Sequence, residues 1–135
     1  VADWQREAEK KGLVLAWQDQ STTIPQVKSA FAESVIDNLL RNALQYTERG
    51  HVTVVLTDYS LSVADTGRGI ADEEKTRVLQ AFVRGDTAPG KGYGWGLSLV
   101  RRICRKEGWV LSFVDNPPQG TIFTVTFRDK TTTLT

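Results

Sequence analysis

His51 to Ile70 reads HVTVVLTDYSLSVADTGRGI. Alternating, β-branched residues fill His51 to Asp58 and again Ser60 to Asp65, joined through Asp58, Tyr59 and Ser60, which is the pattern of two half-buried strands in a hairpin. The second strand runs from Asp65 straight into Gly67 and Gly69, so a carboxylate stands at a sheet edge beside backbone that a planar ligand can approach closely. Such a carboxylate can accept a hydrogen bond from an exocyclic amine. An Asp-Gly turn that merely ends the strand is the competing reading.

Downstream, WVLSFVD (Trp109 to Asp115) and GTIFTVTF (Gly120 to Phe127), linked by NPPQ, form a second such pair. Upstream, VADWQREAEKK (Val1 to Lys11) is an amphipathic helical lead-in stopped at Gly12, LVLAW (Leu13 to Trp17) is a short strand, and STTIP (Ser21 to Pro25) is a turn. A long helix is expected from near Gln26, where Phe31, Val35, Ile36, Leu39, Leu40 and Ala43 recur at three- and four-residue steps. Between the hairpins lie a helix from about Asp72 to Gln80, a glycine-rich loop from Arg84 to Gly94, and a helix from Gly96 to Glu107 stopped by Gly108. Segregated helices and hairpins predict an α+β fold: a two-layer sandwich whose mixed, mostly antiparallel sheet is covered on one face by helices, with the glycine loop between the last two helices.

A chain of 135 residues, 40% hydrophobic and 24% charged, suits one globular domain. We expect it over residues 12–128, after the lead-in of residues 1–11 and before a frayed tail of residues 129–135. A net charge of +1 gives no footprint for nucleic acid. The densest basic run, RRICRK at Arg101 to Lys106, reads as a solvated helix face. The single cysteine, Cys104, can make no internal disulfide and has no partners at metal-ligand spacing, which fits a reduced, cytoplasmic setting. No apolar stretch approaches the roughly 20 residues that cross a bilayer, and Val1 to Lys11 is too charged for a signal peptide. The chain itself is expected to be soluble, without direct membrane contact, whatever its parent protein does.

Glycines at 90, 92, 94 and 96 directly precede an apolar-periodic helix (Leu97, Val100, Ile103), so free backbone N–H groups and a helix dipole converge where phosphate oxygens could sit. A mobile surface loop is the plainer alternative. Gly85 to Lys91 nearly spells a phosphate-binding P-loop, but Gly92 stands where Ser or Thr should hold magnesium, and no clear strand precedes it. The dinucleotide-binding reading is weakened by DTAP in place of a strand before Gly90, although Asp115 ends a later strand. Asn38 and Asn42, one turn apart on the long helix, put two amides on a shared face where helices disfavour Asn. An amide oxygen suits Mg²⁺ beside phosphate; capping of backbone in a polar helix–sheet seam is the alternative.

Taken together, NLLRNALQYT (Asn38 to Thr47), DTGRGI, LQAFVRGD (Leu79 to Asp86), GKGYGWGLSLV (Gly90 to Val100) and GTIFTVTF resemble, in order and spacing, the N, G1, F and G2 boxes and closing segment of the catalytic and ATP-binding domain of sensor histidine kinases, within the GHKL superfamily. The resemblance runs from about Gly12 to Phe127. It implies ATP and Mg²⁺ as cofactors, a Bergerat-type ATP fold, and an ATP lid in place of the glycine loop. It assigns Asn42 to the metal, Asn38 to phosphate or metal, Tyr46 to packing near adenine, Asp65 to the adenine amine, and Thr121 to a hydroxyl that supports that edge through water. Gly67 and Gly69 would allow close approach, and Ile70 would line the base pocket. Gly92, Tyr93, Gly94, Gly96 and Leu97 would form the phosphate-facing part of the lid, Phe82 would anchor its start, and Arg84 and Lys91 would reach the phosphates.

Two departures matter. Gln45 stands where the family often has Lys or Arg. Asn38 stands where the superfamily's hydrolytic members carry a water-activating Glu; an amide cannot be a general base, so the resemblance points to phosphoryl transfer, with Asn38 and Arg84 as catalytic candidates. The acceptor is not on this chain: His51, the only histidine, sits at a strand start after Gly50 and reads as a surface or strand-edge residue. The resemblance therefore implies the parent's own dimerisation and histidine phosphotransfer domain upstream of Val1, a homodimer, a cognate response regulator, and the cytoplasmic part of an inner-membrane sensor. A regulatory nucleotide-binding module without transfer, or a serine kinase of anti-sigma-factor type, would share the pocket.

Overall fold

A computed structural model describes residues 3–22, 27, 29–84 and 97–127. Its elements are α1 (Trp4–Lys10), β1 (Val14–Asp19), α2 (Ser29–Tyr46), β2 (His51–Leu56), β3 (Ser60–Asp65), α3 (Asp72–Arg84), α4 (Ser98–Glu107), β4 (Val110–Asp115) and β5 (Thr121–Thr126). The strands form one sheet in the order β1-β2-β3-β5-β4. β1 runs parallel to β2, and the remaining pairs are antiparallel. The parallel step follows from connectivity, because α2 carries the chain back along the sheet between β1 and β2. The expected α+β sandwich, mixed and mostly antiparallel, is what forms.

Strand alternation decides which face is covered. Val52 and Val54 of β2, Leu61 and Val63 of β3, and Phe123 and Val125 of β5 are all buried, while their neighbours are half-exposed. Against them α2 packs Val35, Leu39, Leu40, Ala43 and Leu44, and α4 packs Val100, Ile103 and Cys104. The apolar pair inside RRICRK therefore faces the core, and Arg102, Arg105 and Lys106 face water. Trp109 and Phe127 close the end of this core edge to face, with ring centroids 5.0 Å apart.

Local chemistry sets the boundaries. The Thr57 hydroxyl accepts the N–H groups of Tyr59 (3.2 Å) and Ser60 (3.0 Å), a side-chain turn that ends β2 at Leu56, two residues before the expected Asp58. α3 opens with Asp72, Glu73 and Glu74 at its positive end, and Glu74 reaches back to the Ala71 N–H at 3.3 Å. It continues to Arg84, past the expected Gln80. α2 begins at Ser29 and β1 extends to Asp19, whereas α2 was expected from near Gln26, outside the described residues, and β1 to Trp17. Gly108 ends α4 in the left-handed conformation, φ +75°, as a helix terminator should.

α1 is seated on this core. Ala8 is buried, Trp4 Nε1 donates to Asp37 Oδ1 at 2.8 Å, and Gln5 Nε2 donates to the Leu15 carbonyl at 2.9 Å. No described helix is long and apolar enough to cross a membrane. The expected frayed tail and most of the expected lid, residues 85–96, lie outside the described residues.

Candidate functional site

Asp65, the last residue of β3, is 4% exposed. Its Oδ1 accepts two backbone N–H groups, from Gly67 at 2.9 Å and from Thr121 at 3.3 Å, so the carboxylate is fixed by the turn that follows it and by the neighbouring strand. Burial pushes its acidity toward higher pH than an ordinary aspartate, and the Gly67 and Thr121 bonds oppose that shift without cancelling it. Oδ2 takes no part in either bond. A buried acceptor held at one oxygen and able to receive at the other is suited to an amine donor.

The turn is glycine-dependent at two points. A Cβ on Gly67 would lie 2.3 Å from the Tyr46 carbonyl, because the Asp65 turn packs directly on the end of α2, where Arg68 N also donates to Tyr46 O at 3.3 Å. A Cβ on Gly120 would lie 2.0 Å from the Asp65 carbonyl, at a φ of +123°. Asn116 completes the enclosure by donating Nδ2 to that same carbonyl at 2.7 Å.

Three buried side-chain atoms in this region have no hydrogen-bond partner among the described residues: Asn42 Nδ2, Thr47 Oγ1 and Thr121 Oγ1. Buried polar groups are normally paired, and each orphan costs on the order of 1–3 kcal/mol. Hydroxyls and an amide left unpaired beside a fixed carboxylate fit the edges of a polar, hydrogen-bonding ligand. They fit a nucleotide, which offers amine, ring nitrogen and phosphate groups. Asn42 also presents the amide oxygen that a hard cation requires.

Asn38 behaves differently from Asn42. It is half-buried, its Nδ2 donates to the Ser34 carbonyl one turn back at 2.8 Å, and its Oδ1 receives Arg41 Nη1 at 3.5 Å. For its Nδ2, the backbone-capping alternative describes what is found. The two amides on one helix thus divide into one satisfied locally and one left open.

Beside the turn lies an open cavity of about 690 Å³, lined by Gln45, Tyr46, Glu48, Arg49, Thr66, Gly67, Arg68 and Gln119. Tyr46 links this cavity to the Asp65 turn, and the Arg68 guanidinium lies over its ring, 4.9 Å from the centroid. Asp65, Asn42 and Thr121 are not among the described residues that line it. Ile70 and Leu97 are buried at 5% exposure, and Gly69 takes a φ of +74°.

Of the expected site residues, Asn38, Asn42, Tyr46, Asp65, Gly67, Gly69, Ile70, Leu97 and Thr121 are described. Lys91, Gly92, Tyr93, Gly94 and Gly96 lie outside the described residues, as do the side chains of Phe82 and Arg84. Sequence reasoning missed Asn116, Gly120, Thr47 and Arg68. Gly120 carried a signal, a glycine opening a strand just after NPPQ; Asn116 and Thr47 act through tertiary contacts that no local pattern reveals.

Residues 27–131 match the family described as histidine kinase-, DNA gyrase B-, and HSP90-like ATPase. The adaptive-response sensory kinase SasA of Gloeothece citriformis is 40% identical over 99 residues, 66% of this chain and 24% of that protein. The chain spans 11% of BarA of Escherichia coli and 37% of the sensor histidine kinase YcbM of Bacillus subtilis, so the curated relatives are much longer. Among solved structures, full-length ShkA in complex with AMPPNP aligns over 91% of this chain and 27% of its own, with 28% identity and a TM-score of 0.72. The catalytic domain of histidine kinase ThkA shares the fold over 92% of this chain and 83% of its own, at a TM-score of 0.74 and 20% identity. The chain belongs to the histidine kinase-, DNA gyrase B-, and HSP90-like ATPase family, as an ATP-binding catalytic domain of the sensor histidine kinase type.

Proposed function

We propose that this domain presents Mg-ATP for phosphoryl transfer to a histidine on its parent's dimerisation and phosphotransfer domain, in a two-component pathway ending at a response regulator. The observation that carries the reading is the buried Asp65 carboxylate, clamped at Oδ1 by Gly67 and Thr121, with the orphan Thr121 hydroxyl beside it. Asp65 Oδ2 accepts the adenine amine, and Thr121 Oγ1 completes that edge. Tyr46 and Ile70 enclose the base, and the glycines at 67 and 69 keep the turn thin enough for it to enter.

Asn42 would hold the metal ion through its amide oxygen, and Asn38, whose Nδ2 is spent on the Ser34 carbonyl, would contact phosphate or metal. A Mg²⁺ held there would supply charge neutralisation at the phosphates. Leu97 with Gly92, Tyr93, Gly94 and Gly96 would form the lid over the phosphates, and Arg84 and Lys91 would supply positive charge there. Because residue 38 is an amide, no side chain at that position can take a proton from water, and the phosphoryl group is kept for an incoming imidazole.

The parent is a homodimer through its helical domain, with this domain in the cytoplasm. Calorimetry of Mg-ATP against the native chain and Asp65→Asn tests the binding half of the reading. Affinity should fall about 10- to 100-fold in the variant, since the new amide N–H would meet the adenine amine donor to donor. Equal affinities would overturn it.

A further inference from the structure

A second concavity lies away from the Asp65 turn, between α1, β1 and the first half of α2. It holds about 270 Å³ and is lined by Asp3, Trp4, Trp17, Glu33, Ile36 and Asp37, with Gln5 beside them. That volume is below the usual range for a drug-sized ligand and matches a single side chain. Two features distinguish it. Its walls are apolar and aromatic, with Trp17 left 50% exposed at the sheet edge, and among the described residues every ionisable group lining it is a carboxylate. A whole-chain net charge of +1 makes three acids around two tryptophans a local reversal of sign.

The groove is held open by its own hydrogen bonds. Trp4 is fixed by Nε1 donating to Asp37, and Gln5 is spent on the Leu15 carbonyl. Among the described residues no cation lines it: Arg6 pairs with Asp3 at 3.8 Å, both side chains being exposed, and Arg41 lies 5.9 Å from the Trp4 ring centroid while donating to Asn38. The Arg41 contact shows that a guanidinium already settles against this indole from within the chain.

We propose that this groove receives an arginine side chain from a partner protein. The planar guanidinium can stack on an indole while its N–H fork meets carboxylates, and its aliphatic stem covers Ile36. Lysine offers a compact, strongly hydrated charge that satisfies only the electrostatic half of that arrangement. Single-residue capture is weak by itself and acts as the anchor of a larger contact. The inference is independent of the nucleotide site, because no residue of the groove belongs to it.

The experiment follows the Trp17 indole N–H by NMR while the 135-residue chain is titrated with acetyl-Gly-Gly-Arg-Gly-Gly-amide, with its citrulline counterpart and with its lysine counterpart. The arginine peptide should shift the Trp17 signal saturably, with the citrulline peptide at least about 10-fold weaker and the lysine peptide about 3-fold weaker. Glu33→Gln should weaken the arginine peptide by about 3-fold, followed at Trp17, and Trp17→Ala should do the same, followed at the Trp4 indole, with ATP affinity unchanged in both. Equal affinity for arginine and citrulline peptides, equal affinity for arginine and lysine peptides, or binding indifferent to Glu33→Gln would each overturn the proposal. Glu33 is exposed in the first turns of α2, so that variant tests the claim even if Trp17→Ala fails to fold.

Discussion

Asp65 and Thr121 face each other across β3 and β5, and the Thr121 N–H donates to Asp65 Oδ1 at 3.3 Å while the Thr121 hydroxyl has no partner among the described residues. One residue thus both fixes the carboxylate and leaves a donor open next to it. Thr121→Val separates these roles, since it keeps the backbone bond and the side-chain shape. The apo domain should become about 1 kcal/mol more stable to urea, because a buried unpaired hydroxyl is removed, and Mg-ATP affinity should fall. A loss of stability with affinity retained would show the hydroxyl to be structural.

Burial of Asp65 has a pH signature. Its acidity is shifted upward, with desolvation the largest cause, so folding favours the protonated form. The stability contributed by that preference is complete below the unfolded aspartate value and is lost as pH rises through the higher folded value. At neutral pH the charged carboxylate is therefore a cost to the apo fold. Asp65→Asn should melt at or above the native temperature at pH 7 by calorimetric scanning, with the difference shrinking in acid, even as nucleotide binding fails.

Gly120→Ala should be severe for a reason unrelated to ligand. A methyl group would meet the Asp65 carbonyl at 2.0 Å, on backbone at φ +123°, and the neighbour is main chain that cannot swing aside. We expect a loss of at least about 2 kcal/mol in urea unfolding. A near-neutral result would mean that the β4–β5 connection can move off the Asp65 turn.

Cys104 serves as an internal reporter. Burial raises its thiol to about 11, and it packs in the core beneath α4. At pH 7.5 a thiol reagent should react only through unfolding, with a rate that follows denaturant and not nucleotide concentration. Rapid labelling of the native protein would contradict the packing of α4.

Much of this was legible because it is local. Alternation in HVTVVLTD and SLSVAD revealed β2 and β3, and the stripe of Val35, Leu39 and Ala43 revealed α2, since burial on one face forces those periods. Asp65 at a strand end before two glycines was readable for the same reason. The parallel pairing of β1 with β2 was not readable, because register between distant segments leaves no local trace. Nor was the division between Asn38 and Asn42: identical residues one turn apart differ only in how deeply the helix sinks them, and the shallower one spends its amide on Ser34.

On the proposed reading, this domain holds ATP for a histidine located elsewhere. Incubating the chain with Mg-ATP labelled on the γ-phosphate, alone and with the helical dimerisation segment of its parent protein, tests it most directly. The expected result is no label on this chain, His51 included, negligible phosphate release, and acid-labile, base-stable label on the helical segment. Label on His51, or rapid release of phosphate without transfer, would contradict it.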